Sequence, residues 1–189
     1  HRADVGAGDW LAVHGCGGIG LSAVHIADAL GANVIAIDLV DEKLETATGL
    51  GAVETVNAAE TDDVPGAVRA LAGDGADVSV DALGVTETCR NSVMSLGNRG
   101  QHLQIGLTTQ DEEGEVPLPT DVMVMNEIEF IGSLGMPPTQ YDEIFRMVST
   151  GKLRPAEIVS ETVELEDVSD KLAEMSDFGT TGIPVINEF

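Results

Sequence analysis

Three features of this 189-residue sequence predict a doubly wound α/β fold, a Rossmann-type parallel six-stranded sheet with a short α+β C-terminal extension. Short apolar runs alternate with helical patterns, and glycine bounds most of them. The runs are near-continuous in Val, Ile, Leu and Ala, as strands covered on both faces require. A glycine cluster, Gly15-Cys16-Gly17-Gly18-Ile19-Gly20, follows the first run directly and opens a helical pattern.

The elements follow in order. Residues 10–14 read as the first strand. Residues 21–30 carry apolar positions at 23, 24, 26, 27 and 30 and read as a helix stopped by Gly31. Residues 33–38 are the second strand. Residues 41–48 are a helix with Asp41 as N-cap, closed by Gly49 and Gly51. Residues 53–57 are a third strand. Residues 63–72 are helical, with Pro65 tolerated in the first turn. Residues 78–83 make a fourth strand, 86–96 a helix and 101–107 a fifth strand. A polar loop at 108–120 precedes a short helix at 121–126 and a sixth strand at 129–134. Six such strands form two mononucleotide-binding halves over residues 1–134. Beyond 134 the rhythm changes. Residues 141–150 read as an amphipathic helix, 159–165 alternate, 166–175 are helical, and 183–186 form a last strand. This tail, 135–189, is not expected to form another βαβ repeat, and it is too small for an independent core.

Charge narrows the partners. The chain has 33 acidic residues against 9 basic ones, a net charge of −24. Such a field repels nucleic-acid phosphates and anionic membranes, so neither is an expected partner. The acids are scattered, and lysine occurs only at 43, 152 and 171. That surface self-repels at low salt and is screened at molar salt, where the Debye length is about 3 Å. A halophilic source is expected. No stretch reaches the roughly 18–20 apolar residues of a membrane span. Residues 1–4 lack the apolar core of a secretory signal. With only two cysteines, Cys16 and Cys89, and no Cys-x-x-Cys pair, a reduced cytoplasm is the expected location.

The glycine loop carries the strongest functional signal. Gly15 permits the tight turn, Gly17 lets backbone approach a pyrophosphate, and Gly20 lets the helix sit against the strand. Gly18 and Ile19 complete the loop. The helix start then offers free N–H groups and a positive dipole end. Asp38 ends the second strand roughly 20 residues on, where a carboxylate accepts both adenine-ribose hydroxyls and repels the 2′-phosphate of NADP. NAD is therefore the expected cofactor. Lys43 either turns back to that ribose or is an exposed helix lysine paired with Glu42 or Glu45. Cys16 reads as a small filler of the loop, His14 as a packed histidine, and Cys89, Met123 and Met125 as packing residues. Nothing marks His25 as a ligand. No His/Cys/Asp/Glu set has metal-ligand spacing, and no catalytic residue is assigned.

The segment 7–20, ending Trp10-Leu11-Ala12-Val13-His14-Gly15-Cys16-Gly17-Gly18-Ile19-Gly20, resembles the opening of the cofactor domain of zinc-dependent medium-chain alcohol dehydrogenases. Asp38 to Lys43 resembles that family's ribose site. Gly49-Leu50-Gly51-Ala52 with Val56-Asn57, the 75–84 segment, Arg99-Gly100 through Leu107, and Ile131-Gly132-Ser133-Leu134 all match its pattern, and the tail matches its return to the catalytic domain. The resemblance implies hydride transfer between an alcohol and NAD, with an alcohol or aldehyde substrate. It implies that Ala82 and Leu83 line the adenine side and that Ile105, Gly106, Leu107, Ser133 and Leu134 meet the nicotinamide. It also implies that the sequence is the second half of a larger enzyme. Zinc would then be bound only in the full-length protein, by ligands outside this sequence. The chain alone is expected to bind NAD without turning over alcohol. The family pairs the sixth strand between subunits, so a homodimer or dimer-based tetramer is expected. The family's Gly-Arg before the last strand is here Gly182-Ile183-Pro184, which removes a basic contact. Two other readings stand beside this one: a stand-alone NAD-binding module, and a zinc-free quinone or enoyl reductase relative using NADPH, against which Asp38 argues.

Overall fold

A computed structural model describes residues 2–176 and 180–187; His1, the first residue of the leader reading, lies outside them. The elements are β1 (Trp10–His14), α1 (Gly18–Leu30), β2 (Asn33–Asp38), α2 (Asp41–Gly49), β3 (Ala52–Asn57), α3 (Val64–Ala72), β4 (Ala76–Asp81), α4 (Thr86–Met94), β5 (Leu96–Gln104), α5 (Thr120–Met125) and β6 (Glu129–Gly132). The tail adds α6 (Tyr141–Ser149), β7 (Val159–Val163), α7 (Val168–Ser176) and β8 (Ile183–Ile186).

The main sheet has strand order β3-β2-β1-β4-β5-β6, and every pairing is parallel. This is the order of two mononucleotide-binding halves that meet between β1 and β4. Alternate residues of each strand feed two cores. Leu11, Val13, Val34, Ala36, Val78 and Val80 pack under α1 and α2. Ala12, Ile35, Ile37 and Val56 pack with Val64 and Val68 of α3 on the other face. Both faces are apolar, which is why the runs read as continuous.

Several element ends differ from the sequence expectation, each for a local reason. The first helix starts at Gly18 rather than 21, because Leu21 N–H already bonds the Gly17 carbonyl at 2.8 Å. Asp41 is the first helical residue of α2 rather than its cap, and its carboxylate instead accepts from Asn57 Nδ2 at 2.6 Å. Asp63 caps α3 instead of lying inside it, accepting the Gly66 N–H at 3.0 Å. The fourth helix ends at Met94, so that β5 begins at Leu96, five residues early. The Gly75 and Gly97 backbones touch there; a Cβ on Gly75 would stand 2.5 Å from Gly97 N. The fourth and fifth strands stop at Asp81 and Gln104, short of 83 and 107, because Asp81 draws the following amides into turns. The sixth strand stops at Gly132, after which Ser133 N–H makes a last bond to Gln104 O at 2.9 Å. Met125 is exposed, not a packing residue.

The tail also corrects the expectation. β7 and β8 pair in parallel with α7 between them, a small βαβ unit in a separate two-stranded sheet. It docks on the first domain through buried Leu153 and Ile158, the latter part of the core under α1. His25 pins the junction. Its Nδ1 faces the Leu50 carbonyl at 3.3 Å, and its Nε2 accepts the Arg154 N–H at 2.8 Å. Those partners make Nε2 the acceptor and Nδ1 the donor of the ring. Among the described residues no helix is long and apolar enough to cross a membrane.

His14, fully buried at the end of β1, makes stability pH-dependent. Burial pushes its imidazole down from 6.5 to about 4, against an upward pull from Asp81 and with a further lowering by His102. Above pH 6.5 the stability is complete. As pH falls toward 4 the unfolded chain protonates this ring and the folded one does not, so stability is lost. The loss should approach about 2 kcal/mol by pH 5 and about 3 kcal/mol at the lower limit. Urea unfolding of wild type and His14→Leu at constant salt checks this; the difference between the two curves should carry that slope.

Candidate functional site

The α1 start carries no cap from its own side chains. Gly17 stands at the N-cap position with no side-chain cap bond, and the first turn holds no acidic residue. The turn amides and dipole are therefore not answered by a side chain of the helix itself. Gly15 takes φ +92°, and its N–H bonds Ile37 O at 2.8 Å, which ties the loop to β2. A Cβ on Gly20 would lie 1.7 Å from the Gly15 carbonyl oxygen, whereas one on Gly17 would meet nothing within 4 Å. Gly20 is thus a packing requirement, and Gly17 leaves an open backbone surface.

Asp38 is held by three backbone amides. Its Oδ2 accepts Cys16 N–H at 2.7 Å, and Oδ1 accepts Leu39 N–H at 2.8 Å and Val40 N–H at 3.1 Å. A carboxylate has about four acceptor positions, so about one remains, on Oδ2. That is room for one direct hydroxyl rather than two. Lys43 is buried at 7% exposure, which removes the reading of an exposed helix lysine. It lies beside the loop, close enough to oppose the upward shift of the Cys16 thiol. Burial and the Asp38 charge still push that thiol up to about 12. Cys16 is fully buried, with Sγ 3.7 Å from Ile37 O, and is a filler rather than a nucleophile. Cys89 is buried too, its thiol raised to about 11 by burial and by Asp81.

The loop, Asp38 and Lys43 open onto one groove of about 990 Å³ on the α1 face of the sheet. Gly17, Gly18, Ile19, Asp38 and Lys43 line one part of it. Ala82, Leu83, Ile105, Ser133 and Leu134 line the part beyond β4, so Ala82 and Leu83 sit with the residues expected at the nicotinamide and not on the Asp38 side, where the resemblance implies the adenine. Gly15, Gly20, Gly106 and Leu107 do not line it. Gly15 and Gly20 shape the loop from behind, and Gly106 packs against the turn after β4. Leu107 is 77% exposed. Because β2 lies on one side of β1 and β4-β5-β6 on the other, the two parts sit on opposite sides of the loop. An elongated ligand anchored at the loop would reach both.

Sequence reasoning missed several contributors. Arg2 lines the groove and donates to Gly132 O at 3.0 Å. Ile144 and Met147 of the tail wall it, and the amphipathic pattern of 141–150 was their only signal. Gly182 pairs with Gly17 as an isolated parallel bridge. Ile183 sits over Gly18, where a Cβ would come within 2.7 Å of it, so the extra glycine at 18 makes room for the tail. The tail does reach the loop, but with backbone and an isoleucine where the family resemblance implies an arginine.

The two turns after β4 and β5 interlock. A Cβ on Gly84 would lie 2.0 Å from Leu107 O, and one on Gly106 would lie 2.4 Å from Gly84 N. Buried Asp81 lies beneath both turns. Among the described residues no group of three or more His, Cys, Asp or Glu could hold a metal ion. The described residues therefore do not fit a zinc site.

The geometry agrees with comparisons to known proteins. A family model described as zinc-binding dehydrogenase matches residues 18–150. An NAD-dependent alcohol dehydrogenase of Sulfurisphaera tokodaii is 32% identical over 171 residues, 90% of this chain and 48% of that protein. An alcohol dehydrogenase of Geobacillus stearothermophilus is 32% identical over 165 residues, 87% of this chain and 47% of that protein. The alcohol dehydrogenase of the archaeon Aeropyrum pernix superposes with a TM-score of 0.84 at 29% identity, covering 98% of this chain and 52% of that one. The chain spans about half the length of the curated relatives it matches. With the family model spanning most of the chain, and with sheet order and glycine loop in accord, the chain belongs to the zinc-binding dehydrogenase family.

Proposed function

We propose that this chain is the cofactor-binding part of an NAD-dependent alcohol dehydrogenase. One observation carries the reading: a helix start without a side-chain cap, an amide-anchored carboxylate and a buried lysine converge on one elongated groove. The amides of α1 take the pyrophosphate. Asp38 accepts one adenosine-ribose hydroxyl and repels a 2′-phosphate there, with Lys43 beside it. The other half of the dinucleotide then crosses the loop toward Leu83, Ile105 and Ser133. Bound NAD supplies the hydride acceptor; the protein supplies placement and electrostatics. The residues of this chain bind and orient the cofactor, and the apolar lining keeps water from the far part of the groove.

The alcohol or aldehyde substrate, and the zinc implied by the family, belong in this reading to the remainder of a longer enzyme. A reduced cytoplasm of high salt suits the two buried free cysteines and the net charge of −24. A homodimer or dimer-based tetramer suits β6, which ends the sheet and leaves one edge open. Calorimetric titration in molar KCl tests the core of the proposal. NAD should bind, NADP should bind at least tenfold more weakly, and NADH should not form from alcohol on this chain alone. Equal affinity for the two nucleotides would remove Asp38 from its role, and no binding of either would overturn the reading.

A further inference from the structure

We propose that Asp81 is a positioning residue that joins the turns after β4 and β5 into one platform for the nicotinamide half of the cofactor. The proposal rests on the NAD reading above. Asp81 does not line the groove. It ends β4 on the α4 face, wholly buried, while Val80 and Ala82 on either side of it face the groove. Its Oδ1 accepts Leu83 N–H at 2.9 Å, Gly84 N–H at 3.1 Å and the Thr88 hydroxyl at 3.0 Å. Its Oδ2 accepts Gln104 Nε2 at 2.8 Å. Its main-chain carbonyl accepts Ile105 N–H at 3.0 Å and Gly106 N–H at 2.9 Å. One residue therefore holds the amides of both turns, whose exposed sides present Leu83 and Ile105 to the groove.

The carboxylate also sets the direction of a buried hydrogen-bond chain. Gln104 Nε2 faces two acceptors, Asp81 Oδ2 and Gly106 O, the latter at 2.8 Å. Only its NH₂ can point there, so its Oε1 faces His102 Nε2 at 3.0 Å, and that nitrogen must carry the proton. His102 Nδ1 is then an acceptor and takes the Ser92 hydroxyl at 2.9 Å. Ser92 in turn accepts from Ser79 at 2.6 Å. Every member has one consistent role, and among the described residues no buried side-chain nitrogen or oxygen lacks a partner. Replacing the acceptor-only carboxylate with an amide sets one NH₂ against another, or reverses the whole chain. If the amide instead gives its oxygen to Gln104, its NH₂ faces the Leu83 and Gly84 amides, so every orientation breaks the tie to one of the two turns.

The test compares ligands that reach different parts of the groove. AMP ends on the Asp38 side of the loop, and NAD spans both sides. In Asp81→Asn, NAD affinity should fall roughly tenfold, the scale of a lost charge-assisted bond, while AMP affinity stays within about twofold. Gln104→Met leaves the bonds of Asp81 to Leu83, Gly84 and Thr88 intact, and carries the test if Asp81→Asn does not fold. It should weaken NAD by roughly fivefold, with AMP unchanged. The blue-shifted emission of bound NADH should move toward that of free NADH in both variants. Equal weakening of AMP and NAD, or NAD binding and emission as in wild type, would overturn the positioning role alone. Wild-type protein that binds AMP but not NAD, or neither, overturns the cofactor reading and this proposal with it.

Discussion

Gly20→Ala should cripple the fold, while Gly17→Ala should leave the fold intact and cripple binding. The two glycines belong to one motif, yet their surroundings are opposite. An alanine Cβ at 20 would sit 1.7 Å from the Gly15 carbonyl oxygen and 2.8 Å from its carbon, both backbone atoms of the tight turn. No rotamer relieves such a clash, so α1 must shift away from β1 and open the core around Val13, Leu21 and Val24. The expected cost is on the order of 3 kcal/mol or more, which lowers Tm by roughly 10 °C for a chain of this size. At 17 the added methyl meets nothing within 4 Å, and φ of −76° suits any residue. Stability should change by no more than about 0.5 kcal/mol. The methyl would stand where a pyrophosphate approaches the helix start, so NAD affinity should fall at least tenfold. Thermal melts with NAD titrations separate the two. Wild-type NAD affinity in Gly17→Ala would mean that the phosphates do not lie over this loop.

Asp38→Asn should largely remove the nucleotide preference at a modest cost in stability. The carboxylate repels a 2′-phosphate and also anchors the loop, since Cys16 N–H donates to Oδ2. An asparagine keeps an oxygen for Leu39 and Val40 but turns its NH₂ toward the Cys16 amide. One buried donor loses its acceptor, at about 1–3 kcal/mol. Removing the charge should raise NADP affinity and lower NAD affinity, so that their ratio shifts by roughly tenfold or more. Parallel titrations of both nucleotides measure that ratio. An unchanged preference would assign the discrimination to another residue.

Much of the architecture was legible because its signals are local. Glycine spacing, apolar runs and helix stops lie within a few residues of one another, and they identify all six sheet strands and the helices between them. Strand ends were less legible. The stops of β4 and β5 depend on Asp81 drawing amides from residues 83, 84, 105 and 106, two of them on another strand's turn. The parallel pairing of β7 with β8 was missed because β7, Val-Ser-Glu-Thr-Val, is exposed along nearly its whole length and carries no continuous apolar run.

The site divides in the same way. Sequence by itself determined the glycine loop, the acid after β2 and hence the dinucleotide reading, since these demand particular residue types at fixed spacing. Only the tertiary structure decided that Lys43 is buried rather than exposed, that Asp38 has about one acceptor position left, and that Leu107 is not among the residues lining the groove. It also decided that the tail crosses the loop through Gly17 and Gly182, and that Asp81 ties two turns together. Each of these depends on groups far apart in the chain. Burial, remaining hydrogen-bond capacity and the direction of a buried proton chain exist only once those groups have been brought into contact.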